Sequence, residues 1–197
     1  MRDDMVLIAR AEFYARAHTS RAYINYVRQH AIEPWVVKDF AGATAIVPIY
    51  DCTSGRFDFE PHLQCPDDPV EAFVCEVLDT DGETTIDLAA WPLSKPEKVF
   101  TMFGRAPALG LWEADNFSTY YLGKSLCMRR TPLEWLTSGC SGAAIVSPQL
   151  AGRWLLDLPG PVAARDNAHA RQLHQLKMSV LDQARVMVAT NEERLAA

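Results

Sequence analysis

Between Ser138 and Gly142 the chain reads Ser-Gly-Cys-Ser-Gly, a thiol and hydroxyls set among glycines. A nucleophile on such a turn can have backbone N–H groups aimed at a developing oxyanion, so acyl transfer through Cys140 or Ser141 is the chemistry to weigh. His18, His30 and His62, with Asp79 and Asp87, precede the turn and supply an imidazole and a carboxylate in the base-acid-nucleophile order. A second place is Arg129-Arg130-Thr131. Two guanidinium groups at a helix start, beside unpaired N–H groups, suit a phosphate or carboxylate.

Metal and cofactor chemistry finds less. His169 and His174 are five residues apart, about 140° around a helix, so they do not share a face as i, i+4 ligands do. His62 and Cys65 lie three apart near Asp67 and Asp68, in a proline-rich stretch without a second ligand pair. No C-x-x-C, G-x-G-x-x-G or P-loop string occurs. No metal and no cofactor is expected.

The elements that must position these residues read as a mixed α/β (α+β) chain, with residues 1–197 as a single domain. Met5–Ala17 and a second segment capped by Thr19-Ser20 and stopped at Glu33-Pro34 form an N-terminal helical hairpin. Thr44–Tyr50, interrupted by Pro48, reads as an edge or bulged strand, followed by a turn at Cys52–Gly55 and a strand at Arg56–Glu60. Ala72–Leu78 and Thr84–Trp91 flank Asp79-Thr80-Asp81-Gly82 as an antiparallel hairpin. Residues 92–117, rich in proline and glycine, read as an irregular connection carrying Trp91, Trp112, Tyr120 and Tyr121 in or beside it. The last section alternates strand and helix, which implies parallel pairing. Ser125–Arg129 is a strand; Thr131-Pro132-Leu133-Glu134 opens a helix with Thr at the N-cap, Pro at N1 and Glu at N3. Gly139 ends that helix, Gly142–Val146 is a strand, Ser147-Pro148 opens a helix to about Asp157, and a helix runs from Val162 to about Leu176. Arg185–Ala189 reads as a last strand or a continuation of that helix, with strand the preferred reading. In this frame Gly139 and Gly142 are turn residues between a helix and a strand, and Cys140-Ser141 fill the turn.

The Gly-x-Ser-Gly frame resembles the nucleophile turn of chymotrypsin-like proteases, whose serine lies in an all-β double barrel and not behind a helix with Pro at N1. Arg130-Thr131-Pro132-Leu133-Glu134-Trp135-Leu136, with Gly139-Cys140 and Gly142, resembles a signature of small proteins of bacterial prophages and other mobile elements. Trp91-Pro92-Leu93, Lys95-Pro96 and Phe103-Gly104-Arg105-Ala106 fall in the same pattern, so the likeness spans Trp91 to about Trp154. It implies a setting and no mechanism. A more distant likeness is to Toprim domains of primases. Arg129-Arg130-Thr131 stands where their catalytic glutamate would follow a strand, and no Asp-x-Asp comes after it, so a Toprim-like fold here would be catalytically degenerate.

Composition sets the class. Hydrophobic residues are 49% and charged residues 22% of 197, as in a soluble globular domain. The formal charge is −6, and the 19 basic residues are scattered, which argues against direct nucleic-acid binding. No apolar run reaches the ~20 residues of a membrane span, and Asp3-Asp4 stand where a signal peptide would carry positive charge. Five cysteines without regular spacing read as reduced and structural, and the protein as cytoplasmic. The expected function is that of a non-enzymatic accessory protein of a mobile element, acting by binding another protein, in DNA replication or host interaction. The alternative is an enzyme, either a hydrolase using Cys140 or Ser141 or a phosphate-handling domain using Arg129, Arg130 and Thr131.

Overall fold

Free of glycine and proline, the N-terminal stretch forms α1 (Arg2–Arg16) in the computed structural model, which describes residues 2–39, 42–61, 63 and 68–184. Helix α2 (Arg21–Gln29) starts at Ser20, whose hydroxyl accepts the Tyr23 N–H at 3.1 Å. Pro34, expected to act only as a stop, opens a third helix, α3 (Pro34–Asp39). Its missing N–H costs nothing in a first turn, which is why one residue can close one helix and begin another.

Strand β1 (Thr44–Cys52) pairs through Thr44–Ile49 with β3 (Val70–Leu78) and through Tyr50–Cys52 with the short β2 (Arg56–Asp58). Pro48 therefore sits where, among the described residues, only β3 pairs with the strand, and its lack of a donor is harmless there. The Asp79–Gly82 turn joins β3 to β4 (Thr85–Pro92) in the expected antiparallel hairpin. β5 (Phe100–Thr101) then pairs antiparallel with β4 and parallel with β2, closing a barrel in the order β1-β2-β5-β4-β3. The two-residue period divides the strands. Ala45, Val47, Ile49, Val74, Leu88 and Ala90 pack in one cluster with Phe13 of α1, while Ile46, Phe73, Cys75 and Trp91 face a second one.

The stretch expected to be an irregular connection holds β5, then β6 (Ala108–Leu109), α4 (Leu111–Asp115) and a kinked 3-10 segment over Phe117–Gly123. After it come β7 (Leu126–Arg129), α5 (Pro132–Thr137), β8 (Ala143–Ile145), α6 (Pro148–Asp157), β9 (Val162–Ala163) and α7 (Asn167–Ala184). The sheet runs β6-β8-β7-β9, with β7 parallel to both β8 and β9, as the strand–helix alternation implies. Val162 belongs to a strand and not to the last helix, which begins at Asn167 and continues past Leu176 to Ala184. Pro161 and Val162 look like a helix start in sequence, but two residues of β9 are too few to show a period of two. Arg185–Ala189 lies outside the described residues.

The two sheets share a core. Phe73 and Trp91 of the barrel pack in one cluster with Trp135, Leu136, Cys140 and Ala144, and Trp91 Nε1 donates to Tyr26 Oη at 3.1 Å. One cysteine expectation is corrected: Cys52 is disulfide-bonded, while Cys75, Cys127 and Cys140 are free and Cys65 lies outside the described residues. Spacing along a chain carries no information about which Cα atoms the fold brings within the ~6 Å a disulfide needs.

Candidate functional site

The turn after α5 is built from left-handed residues: Gly139, Cys140 and Gly142 have φ of 75°, 58° and 83°. Such angles suit glycine and strain cysteine, so the surroundings must hold Cys140 in place. Ser138 Oγ donates to the carbonyls of Trp135 and Ser141 at 2.8 and 3.2 Å. The Gly142 N–H donates to Glu113 Oε2 at 2.7 Å, and its carbonyl accepts from Trp135 Nε1 at 3.1 Å. Arg129 Nε donates to the Ser141 carbonyl at 3.0 Å. The Gly142 donor that an oxyanion would use is thus committed to a carboxylate.

The candidate nucleophiles fare accordingly. Cys140 is 3% exposed, inside the shared core, and burial pushes its thiol up to about 12. At neutral pH such a thiol stays protonated and is a poor nucleophile. Ser141 is exposed, and no imidazole is hydrogen-bonded to it or to Cys140 among the described residues. His62 lies outside them, and His169 is buried on α7, its Nδ1 accepting the Arg165 N–H at 3.3 Å. Maleimide labelling of the native chain, followed by peptide mapping, is expected to modify exposed Cys127 within minutes. Cys75 and Cys140 should react over about 100 times more slowly until the chain is unfolded. Labelling of Cys140 at the rate of Cys127 would show the thiol to be presented after all.

Arg129 ends β7 and Arg130 and Thr131 follow it, at the point where the chain leaves β7 for β8 on one side and later returns to β9 on the other. In parallel sheets the crevice at such a switch point is the usual ligand position. Here the protein's own groups fill the roles. Thr131 Oγ1 accepts the Glu134 N–H at 3.1 Å, and Glu134 Oε2 accepts the N–H of Arg130 at 3.0 Å, one residue before the N-cap that a regular capping box would use. Arg165 reaches Glu134 Oε1 at 3.0 Å, and Arg130 is ion-paired with Asp166. The Asp166 carboxylate also accepts the His169 and Ala168 N–H groups. The His169 N–H and the Arg130 guanidinium hold its pKa down to about 2. The crevice lined by Cys127, Arg129 and Arg165 is about 170 Å³, below the ~300 Å³ at which ligand pockets begin.

The aromatic connection divides into anchors and presented side chains. Trp91 is fully buried, Trp112 packs edge-on against Trp135, and Tyr120 Oη donates to the Ala114 carbonyl at 2.8 Å. Thr119 Oγ1 donates to the Glu113 carbonyl at 2.7 Å, and Asn116 Oδ1 accepts the Ser118 N–H at 2.9 Å. Gly160 lies flat under Tyr120; a Cβ there would come within 2.2 Å of the ring. From this fixed base Phe117, Tyr121 and Leu122 project outward, 79%, 68% and 83% exposed. Leu122 is held at φ 57°, a strained angle for a bulky residue.

Of this presented group, sequence reasoning singled out Tyr121 and missed Phe117 and Leu122. The available signals were Asn116, a cap residue directly before an aromatic, and Leu122-Gly123, a large apolar residue in a turn. Among the described residues no group of three or more His, Cys, Asp and Glu side chains could hold a metal ion, and no helix is long and apolar enough to cross a membrane. No protein-family model, no curated protein and no solved structure matches the chain.

Proposed function

We propose that this chain is a non-enzymatic accessory protein that acts by docking onto another protein, with the Phe117–Gly123 segment as its contact. The carrying observation is the combination of three large apolar side chains in solvent and a hydrogen-bonded, aromatic-anchored base beneath them. Apolar and aromatic anchors held before binding lose little conformational entropy on docking, and such residues dominate interface energetics. The partner offers an apolar pocket, since the presented group has only Tyr121 Oη as a polar handle. The setting is that of a bacterial mobile element, in DNA replication or host interaction; this rests on the likeness of Arg130–Leu136 and Gly139-Cys140 to prophage proteins. The acidic balance of −6 favours a protein over nucleic acid as partner.

The test is cross-linked affinity capture with the full chain and with a Phe117→Ser/Leu122→Ser variant. The partner recovered with the wild type is expected to fall at least about tenfold in the variant. Thermal midpoints should agree within about 2 °C, because exposed side chains contribute little to folding. Equal recovery by both proteins, or light scattering that shows the wild type only bound to its own copies, would refute the proposal.

A further inference from the structure

A cleft of about 430 Å³ opens between the barrel and the four-stranded sheet, and none of its lining residues belongs to the docking segment or to the turn at Cys140. Three elements meet there. The parallel register of β2 and β5 sets Arg56 opposite Thr101, and the two-residue period turns both outward, since Phe57 and Phe100 face the core cluster. The Arg56 guanidinium lies over the bare backbone of Gly104, where a Cβ would come within 2.9 Å of it. Among the described residues it has no ion-pair or hydrogen-bond partner.

Thr101 is 3% exposed and its side chain makes no hydrogen bond, yet no buried side-chain oxygen lacks a partner among the described residues. Its hydroxyl therefore opens into the cleft it lines. Opposite stands the N-terminus of the ten-residue α6. Ser147 makes no side-chain cap, the Leu150 and Ala151 N–H groups both bond the Ser147 carbonyl, and among the described residues the Gln149 N–H is left without an acceptor. Among the described residues no carboxylate lines the cleft, while Val99, Val146 and Leu150 give it apolar walls.

We propose that this cleft is a binding site for a small organic acid, a carboxylate head on an apolar body. The planar head takes the Arg56 fork, the Thr101 hydroxyl and the Gln149 N–H; the body lies on Val99, Val146 and Leu150. A guanidinium pairs two oxygens of a carboxylate in one plane, and a helix N-terminus adds partial positive charge. One guanidinium matches a monoanion and leaves a phosphate dianion half compensated. The volume falls in the range of small-molecule sites.

The test is titration of the ¹⁵N-labelled full chain with sodium hexanoate, with inorganic phosphate and with 1-hexanol. Hexanoate is expected to shift the Gly104 and Gln149 amide resonances saturably and more tightly than either comparison ligand. Arg56→Gln should weaken it about tenfold and Thr101→Val about threefold, since a charge-assisted bond is worth more than a neutral one. The amide spectrum of each variant reports directly whether it is folded. No saturable shift with hexanoate, tighter binding of phosphate or hexanol, or unchanged hexanoate affinity in folded Arg56→Gln would each overturn the site.

Discussion

Gly142→Ala is expected to remove more than about 4 kcal/mol of stability, enough to leave most small domains near the edge of unfolding. The added Cβ would stand 2.1 Å from the Cys127 carbonyl oxygen and 3.2 Å from the Cys127 Cβ, both on the neighbouring strand β7. A φ of +83° adds conformational strain of about 1 kcal/mol. Relief is blocked on the other side too. The Gly142 carbonyl already lies so close to Gly110 that a Cβ on Gly110 would meet it at 2.1 Å, and its N–H is tied to Glu113. Gly55→Ala separates the two contributions. It shares a positive φ of 72° but has nothing within 4 Å of the added atom, so only the strain of about 1 kcal/mol is expected. Urea unfolding of both variants measures the difference; a Gly142→Ala cost as small as that of Gly55→Ala would mean that β7 and β8 separate readily.

Asp87→Ala is expected to cost about 3–5 kcal/mol. The carboxylate is fully buried at the end of the hairpin and accepts four backbone N–H groups: Leu88 and Phe103 on Oδ1, both at 2.9 Å, and Arg105 and Ala106 on Oδ2 at 2.7 and 3.3 Å. Three of those donors belong to the turn that carries the chain from β5 to β6, so one side chain organises the passage from barrel to sheet. Burial raises the Asp87 pKa above the ordinary carboxylate value while the N–H bonds pull it down. Removing the acceptor leaves three loop donors without a partner, that of Ala106 buried and those of Phe103 and Arg105 half-buried. Calorimetry of the variant measures the loss, and amide exchange at Phe103, Arg105 and Ala106 should accelerate before the rest of the barrel opens. Exchange that quickens uniformly across the chain would show that Asp87 has no special hold on that turn.

Asp87 also shows where the sequence stops being informative. As an aspartate in a strand pattern it could be read as a possible catalytic acid, and nothing local distinguishes that from an acceptor for a loop sixteen residues on. Features that rest on near neighbours were legible: the Asp-Gly turn between β3 and β4, the Thr131-Pro132-x-Glu134 helix start, and the parallel pairing behind the strand–helix alternation. Closure of the barrel was not, because it depends on β2 and β5, which meet in parallel through the single registered pair Arg56 and Thr101. β2 was legible as a strand, but the two residues of β5 show no period, and one parallel pair leaves no local mark of which strands meet. The same pair lines the cleft at α6, so the contact hidden from sequence reasoning and the ligand site hidden from it have one cause. The turn at Gly139–Gly142 was legible as punctuation, while its clamps, Glu113 and Trp135, became visible only in three dimensions.

Affinity capture with two variants side by side bears most directly on whether this protein works by docking or by covalent chemistry. Phe117→Ser/Leu122→Ser should lose the partner, whereas Cys140→Ala/Ser141→Ala, if folded, should recover it at the wild-type level. Recovery abolished in the folded Cys140/Ser141 variant and intact in the Phe117/Leu122 variant would place the function in the turn and contradict docking through the Phe117–Gly123 segment.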